Sequence, residues 1–241
     1  MNTTQIFFVA LPYTALATLL IGVIYRYKTL GFKLTSLSSQ FLEGKQLFWG
    51  TQPFHWGILV VFLGHVVAFV LPGTLLAWNG EPLRLLILEL TLFVFALTAL
   101  FGLVALVFRR VTNRRINSVT SRMDVLVYIL LAAQLVSGLC VAYLYSWGSS
   151  WFASILTPYL RSIFLFNPMV DGVAGMPFLV QLHIATAFII FGMIPYTRLI
   201  HFMVFPLNYL WRSYQVVIWS WNPEHIRTDR SYFPGVRSKN N

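Results

Sequence analysis

The sequence predicts an all-α integral membrane protein, a bundle of five transmembrane helices. Two observations carry that prediction. Of 241 residues, 58% are hydrophobic and only 10% are charged, against about a quarter charged in an ordinary soluble domain, and the mean hydropathy is +0.72. The apolar residues also gather into five runs, each meeting the roughly 20 residues that a helix needs to cross a bilayer. An ordinary water-soluble enzyme is excluded on this ground.

The runs lie at about 5–25, 54–76, 85–108, 124–146 and 178–205, each bounded by charge, Pro or Gly. The first has no basic residue ahead of its apolar stretch and is too long for a signal h-region, so it is expected to stay in the mature protein. The second opens after Pro53, the third after Arg84 and the fourth near Asp124, while the fifth reads through Pro195 to Phe205. The longest connection, 147–177, holds Trp147, Trp151, Pro158, Tyr159, Pro168 and Gly172, and its stretch 151–166 suits a short interfacial helix. The domain reading is one membrane domain over 1–210 and a basic tail over 211–241.

Basic residues orient the bundle. The 17 Lys and Arg outnumber seven Asp and Glu, and nearly all lie on one side. Arg26, Lys28, Lys33 and Lys45 follow run one, and Arg109, Arg110, Arg114, Arg115 and Arg122 follow run three. Arg198, Arg212, Arg227, Arg230, Arg237 and Lys239 lie at the end of run five and in the tail. The alternate loops hold only Arg84 and Arg161. By the positive-inside rule the N-terminus faces outside and the C-terminus the cytoplasm. The basic balance is therefore a topological signal rather than a nucleic-acid footprint, with contact to anionic lipid or an acidic partner secondary. Cys140 is the single cysteine and sits inside an apolar run. That leaves no internal disulfide, no CxxCH haem attachment and no cysteine cluster, so a redox metal must take histidine ligands.

Four of the five histidines fall within the apolar runs, His55 and His65 on run two and His183 and His201 on run five. Ionisable groups in a bilayer are costly and by default mark a function. Because the two runs cross in opposite directions, topology pairs His55 with His201 near the cytoplasmic side and His65 with His183 towards the outside. The chemistry this suits is bis-histidine ligation of two b-type haems within the bundle. Ten residues on run two span about 15 Å, and 18 residues on run five about 27 Å, if both are straight α-helices. Tilted helices and inclined haem planes are expected to absorb that difference, and 18 residues return His201 to the helix face of His183. The spacing along each helix is too wide for one tetrahedral zinc site.

At these residues the sequence resembles the cytochrome b, or gamma, subunit of membrane-bound respiratory nitrate reductase. The matching stretches are Arg26-Tyr27, SSQ at 38–40, FHWGILVVFLGH at 54–65, Arg109-Arg110, LH at 182–183, PYTRLIH at 195–201 and Pro206, within about 5–217. The resemblance implies a diheme subunit of the cell membrane that oxidises menaquinol or ubiquinol near the outer side. Electrons then pass to iron–sulfur (beta) and molybdenum catalytic (alpha) subunits in the cytoplasm, which the tail would contact, and protons are released outside. This chain would carry no nitrate-reducing site and no nucleic-acid function. The resemblance assigns His65 and His183 to a distal haem, His55 and His201 to a proximal one, and Gly64 to the quinol pocket.

Family members can carry a lysine at the start of run three that assists quinol binding. Here the nearest position is Leu85, with Arg84 beside it, so Arg84 is the candidate for that role. Glu89, an acid inside an apolar run, is the candidate proton acceptor. Arg109, Arg110 and Arg198 at the cytoplasmic boundary are candidates for haem propionates, as are Tyr27 and Ser38. Their competing roles are topological for the arginines, interfacial anchoring for Tyr27 and helix capping for Ser38. His225 reads as a solvated or partner-contacting tail residue. The competing readings of the chain are the equivalent subunit of a nitrite oxidoreductase or heterodisulfide-reductase-like complex, or a haem-free anchor or transporter. The last predicts half-helices at the midplane or a polar stripe along several runs, whereas runs one, three and four are nearly free of charge.

Overall fold

The computed structural model describes residues 3–30 and 45–203, all within the compact unit 1–204. Ser38, His225 and the tail from 211 lie outside the described residues. Five helices are long and apolar enough to cross a membrane: Thr3–Thr29, Gln46–Val70, Pro82–Thr112, Arg122–Leu144 and Phe178–Tyr196, called spans one to five below. Leu20, Ile21, Val94, Phe101 and Val111 are exposed on their outer faces, as expected of side chains whose solvent is lipid.

Span two differs from the sequence expectation at both ends. Its helix runs Lys45–Val70 with Pro53 inside it, so it begins nine residues before Phe54. It stops at Leu71, whose φ of −122° and ψ of 54° leave the helical region ahead of Pro72, because the proline ring disfavours an α conformation in the residue before it. Pro72–Asn79 is a separate short helix. Span four starts on a capping box in which the Ser121 side chain accepts from the Asp124 main-chain N–H and Asp124 returns the bond to Ser121.

The helix expected in the longest connection, called the interfacial helix below after that expectation, is a helical run over Gly148–Trp151, Phe152–Leu156 and Thr157–Phe164, the middle segment being π-helical. Its side chains serve main-chain carbonyls that prolines elsewhere strand. Pro12 has no N–H, so the Phe8 carbonyl four residues back has no α-helical donor, and the local chain is a π-helix over Ile6–Ala10. The Tyr159 hydroxyl donates to that carbonyl at 2.9 Å. Burial and the neighbouring Tyr13 push the Tyr159 phenol up, which keeps it a donor. Pro72 strands the Ala68 carbonyl in the same way, and Thr157 Oγ1 donates to it at 3.2 Å. Arg161 completes the end of span two, donating to the carbonyls of Phe69 at 2.9 Å and Val70 at 3.1 Å.

Spans two and three are the closest pair. A Cβ built at Gly57 would lie 2.5 Å from the main-chain atoms of Phe95 and Ala99, and one at Gly102 would lie 2.7 Å from the Gly50 carbonyl. Where lipid is as apolar as the helices, such small-residue contact is what drives association. Gly102→Ala is therefore expected to lower the thermal midpoint of the detergent-solubilised protein, at a cost of about 1–3 kcal/mol for overpacking. Gly64→Ala meets only the flexible tip of Leu92 at 2.8 Å and should cost less. A differential scan of both variants checks the order.

The second difference concerns span five. The α-helix ends at Met193 and passes into a 3-10 turn over Ile194–Tyr196 carrying Pro195. Thr197 is extended, with φ −121° and ψ 175°, and a second 3-10 turn follows over Arg198–Phe202. His201 thus rides on its own turn, and the expectation of one straight helix with His183 and His201 on one face does not hold. Pro195 lacks the N–H that would continue the helix, and the break re-aims the chain before His201. Span one packs on this break: a Cβ at Gly22 would meet Pro195 Cβ at 2.6 Å, and Arg26 donates to the Pro195 carbonyl at 2.7 Å.

Candidate functional site

The four histidines of the spans meet in two pairs. The ring centres of His55 and His201 are 6.2 Å apart and those of His65 and His183 are 6.4 Å apart. A metal–imidazole bond is about 2 Å, and in a five-membered ring with bonds of about 1.33 Å the centre lies about 1.1 Å from each atom. Two imidazoles holding one metal from opposite sides therefore put their centres about 6 Å apart. Interplanar angles of 58° and 36° are compatible with that arrangement, because two imidazoles on opposite sides of a metal can take any angle about the line joining them. Among the described residues no three His, Cys, Asp or Glu converge as for a metal ion; the imidazoles come in twos.

Hydrogen bonds at the other ring nitrogen set the tautomer. Nδ1 of His55 lies 2.8 Å from the Thr51 carbonyl, Nδ1 of His65 lies 2.8 Å from the Val61 carbonyl, and Nδ1 of His201 lies 2.6 Å from the Arg198 carbonyl. A carbonyl only accepts, so each Nδ1 carries the proton and each Nε2 keeps its lone pair. A histidine that binds metal through Nε2 needs that tautomer, and the bond to Nδ1 raises its basicity. His183 instead turns Nδ1 to Ser137 Oγ at 3.0 Å, while its Nε2 lies 3.1 Å from Gln134 Nε2. Gly138 admits the ring to span four, for a Cβ there would meet His183 Cε1 at 2.8 Å. Phe152 of the interfacial helix stands edge-on to His65, with centroids 5.3 Å apart.

At the His55–His201 end the guanidiniums of Arg110 and Arg198 converge on Asp124, which is 7% exposed. Arg198 Nε is 2.8 Å from Oδ1, and Arg110 Nη1 is 3.4 Å from Oδ2. Arg110 also lies over the Tyr128 ring and donates to Thr120 Oγ1 at 3.0 Å. Arg109 is buried and Tyr27 exposed. The sequence expectation did not include Asp124, although its capping pattern, Ser121-x-x-Asp124, is legible. Gln134 and Ser137 were also missed, though both are polar residues inside an apolar run.

At the opposite end, Glu89 Oε1 accepts from the Ser149 main-chain N–H at 2.8 Å and from its hydroxyl at 2.7 Å, capping the start of the interfacial helical run. Asn79 donates to the hydroxyls of Ser149 and Ser150, each at 3.0 Å, and its buried Oδ1 has no partner. Arg84 is exposed, its guanidinium 5.4 Å from the centre of the Trp78 ring. Arg84 and Glu89 thus serve separate contacts. A Cβ at Gly64 would meet Leu92 Cδ2 at 2.8 Å, so the glycine lets the Leu92 side chain of span three approach at this point.

Fold and site together define a multi-pass helical membrane protein with two facing histidine pairs, one towards each end of the bundle. The nitrate reductase gamma subunit family model matches residues 4–220, and the chain belongs to that family. It is 34% identical over 215 residues to the nitrate reductase gamma chain of Bacillus subtilis (strain 168), covering 88% of this chain and 96% of that one. It is 31% identical over 223 residues to the respiratory nitrate reductase 1 gamma chain of Escherichia coli (strain K12), covering 88% and 95%. A nitrate reductase-like protein of Mycobacterium tuberculosis (strain H37Rv) is 29% identical over 218 residues, which make up 33% of its length. The chain is accordingly a membrane component of a multi-subunit oxidoreductase.

Proposed function

We propose that this chain is the diheme cytochrome b subunit of a respiratory nitrate reductase, oxidising quinol at the His65–His183 end and delivering electrons at the His55–His201 end. The observation that carries the reading is the pair of ring separations, 6.2 and 6.4 Å, with His55, His65 and His201 each giving Nδ1 to a carbonyl and keeping the Nε2 lone pair. His65 and His183 would hold one haem iron and His55 and His201 the other. When bound, the two haems supply one-electron carriers between quinol and the iron–sulfur and molybdenum subunits. The protein's residues orient the ligands through Nδ1, exclude water with apolar helices, and close the Glu89 end with the interfacial helix.

In this reading the bundle lies with its N-terminus outside and the arginine-rich end towards the cytoplasm, where the partner subunits bind. Quinol would bind beside His65, within reach of the segment from Gly64 to Glu89. Arg84 would neutralise developing quinol anion and Glu89 would accept a proton. The propionates of the inner haem would face Arg110, Arg198 and Tyr27, with Ser38 a further donor.

The test uses membranes containing this chain with its alpha and beta partners. A soluble quinol should raise b-type absorption, and nitrate should then abolish it; membranes lacking the partners should show the first change without the second. Absorption that quinol leaves unchanged in both would overturn the reading. Arg84→Ala and Glu89→Gln are each expected to slow quinol-driven reduction several-fold while dithionite reduction stays complete. Unchanged rates in both would remove them from the quinol site.

A further inference from the structure

We propose that Ser137, on span four, is a positioning residue that sets the reduction potential of the iron held by His65 and His183. The proposal rests on the haem ligation proposed above. Three of the four rings give Nδ1 to a main-chain carbonyl of their own segment. His183 alone gives it to a side chain from another helix, Ser137 Oγ at 3.0 Å. A ligating Nε2 leaves the proton on Nδ1, so in that state the Ser137 hydroxyl accepts from His183 and its own proton goes to the Gln134 carbonyl at 3.1 Å. Gln134 Nε2 lies 3.1 Å from His183 Nε2, the nitrogen a metal would take, so ligation requires this amide to turn away.

The adjacent glycine makes this contact geometrically possible. Any Cβ at Gly138 would strike the ring at Cε1, 2.8 Å away, and lever Nδ1 off the hydroxyl. Span four, which bears no histidine, therefore fixes one of the four ligands by a Ser–Gly step. The partner on Nδ1 tunes how much electron density the ring offers its metal. A hydroxyl oxygen is a weaker acceptor than a backbone amide oxygen and draws less on the Nδ1 proton, even with the cooperative gain from its own donation. His183 is the least anionic of the four imidazoles, and a less anionic ligand favours the ferrous over the ferric state. Removing the acceptor altogether carries the effect further in the same direction.

The experiment is an equilibrium redox titration of the purified, haem-loaded protein at the b-type absorption, with haem content measured by extraction. His65→Ala, which retains the His55–His201 haem alone, assigns the two components. Ser137→Ala is expected to keep both haems and to move only the His65–His183 component to more positive potential. Ser137→Thr, which keeps the hydroxyl, is expected to restore it. No shift in Ser137→Ala, an equal shift in both components, or loss of the haem from Ser137→Ala would overturn the proposal while leaving the ligation standing. Absence of b-type absorption from the unsubstituted protein would overturn the ligation itself.

Discussion

Replacing His65 or His183 with alanine is expected to remove one and the same b-type haem, and replacing His55 or His201 to remove the other. Each single variant should lose about half of the reduced-minus-oxidised absorbance, because a haem held by two axial imidazoles loses its low-spin site when either goes. The pairing comes directly from the ring separations, 6.4 Å for His65 with His183 and 6.2 Å for His55 with His201. Double variants within a pair should show no further loss, and double variants across pairs should show none of the absorbance. A pattern in which His65 and His55 behave as partners would contradict the fold. The His65–His183 variants should also lose quinol-driven reduction of the remaining haem, whereas dithionite should still reduce it.

The second large effect is expected at Asp124. Its carboxylate holds Arg198 at 2.8 Å and Arg110 at 3.4 Å and accepts the Ser121 main-chain N–H at 2.9 Å. Arg198 opens the 3-10 turn that carries His201, and its own carbonyl accepts the bond from His201 Nδ1 at 2.6 Å. One residue thus ties the turn to span four through its side chain and orients the ligand through its main chain. Asp124→Asn removes the carboxylate that both guanidiniums share; because the Arg198 side chain is 28% exposed, the cost falls below the roughly 3–5 kcal/mol of a fully buried pair. The variant should lose the His55–His201 haem, keep the His65–His183 haem and melt at lower temperature. Arg110→Gln, which removes the longer contact, should do less. Asp124→Asn with both haems at full occupancy would show that Pro195 and the packing of span one suffice to place His201.

The five spans were legible because apolar length is a local property of the chain, and the histidine pairs because antiparallel crossing requires them. The boundaries were less so. Pro53 reads as the boundary ahead of span two, yet the helix begins at Lys45 and runs through it. Pro195 looked internal to a long span, and is instead where the α-helix gives way to 3-10 turns. That break removes the apparent mismatch between 10 and 18 residues, since the two ligand segments are not equivalent helices. The capping of span two by Thr157 and Arg161 joins residues about 90 apart in sequence, and no spacing rule reveals it. Asp124 carried its signal as a helix cap, but its role towards His201 depends on a salt bridge across three segments.

Haem stoichiometry tests the two histidine pairs most directly. Extraction and quantification of protohaem from the purified chain, with the low-spin signature checked by electron paramagnetic resonance, should give two low-spin haems per chain. One haem per chain, none, or a high-spin centre at either position would contradict the reading of the two histidine pairs as axial ligands.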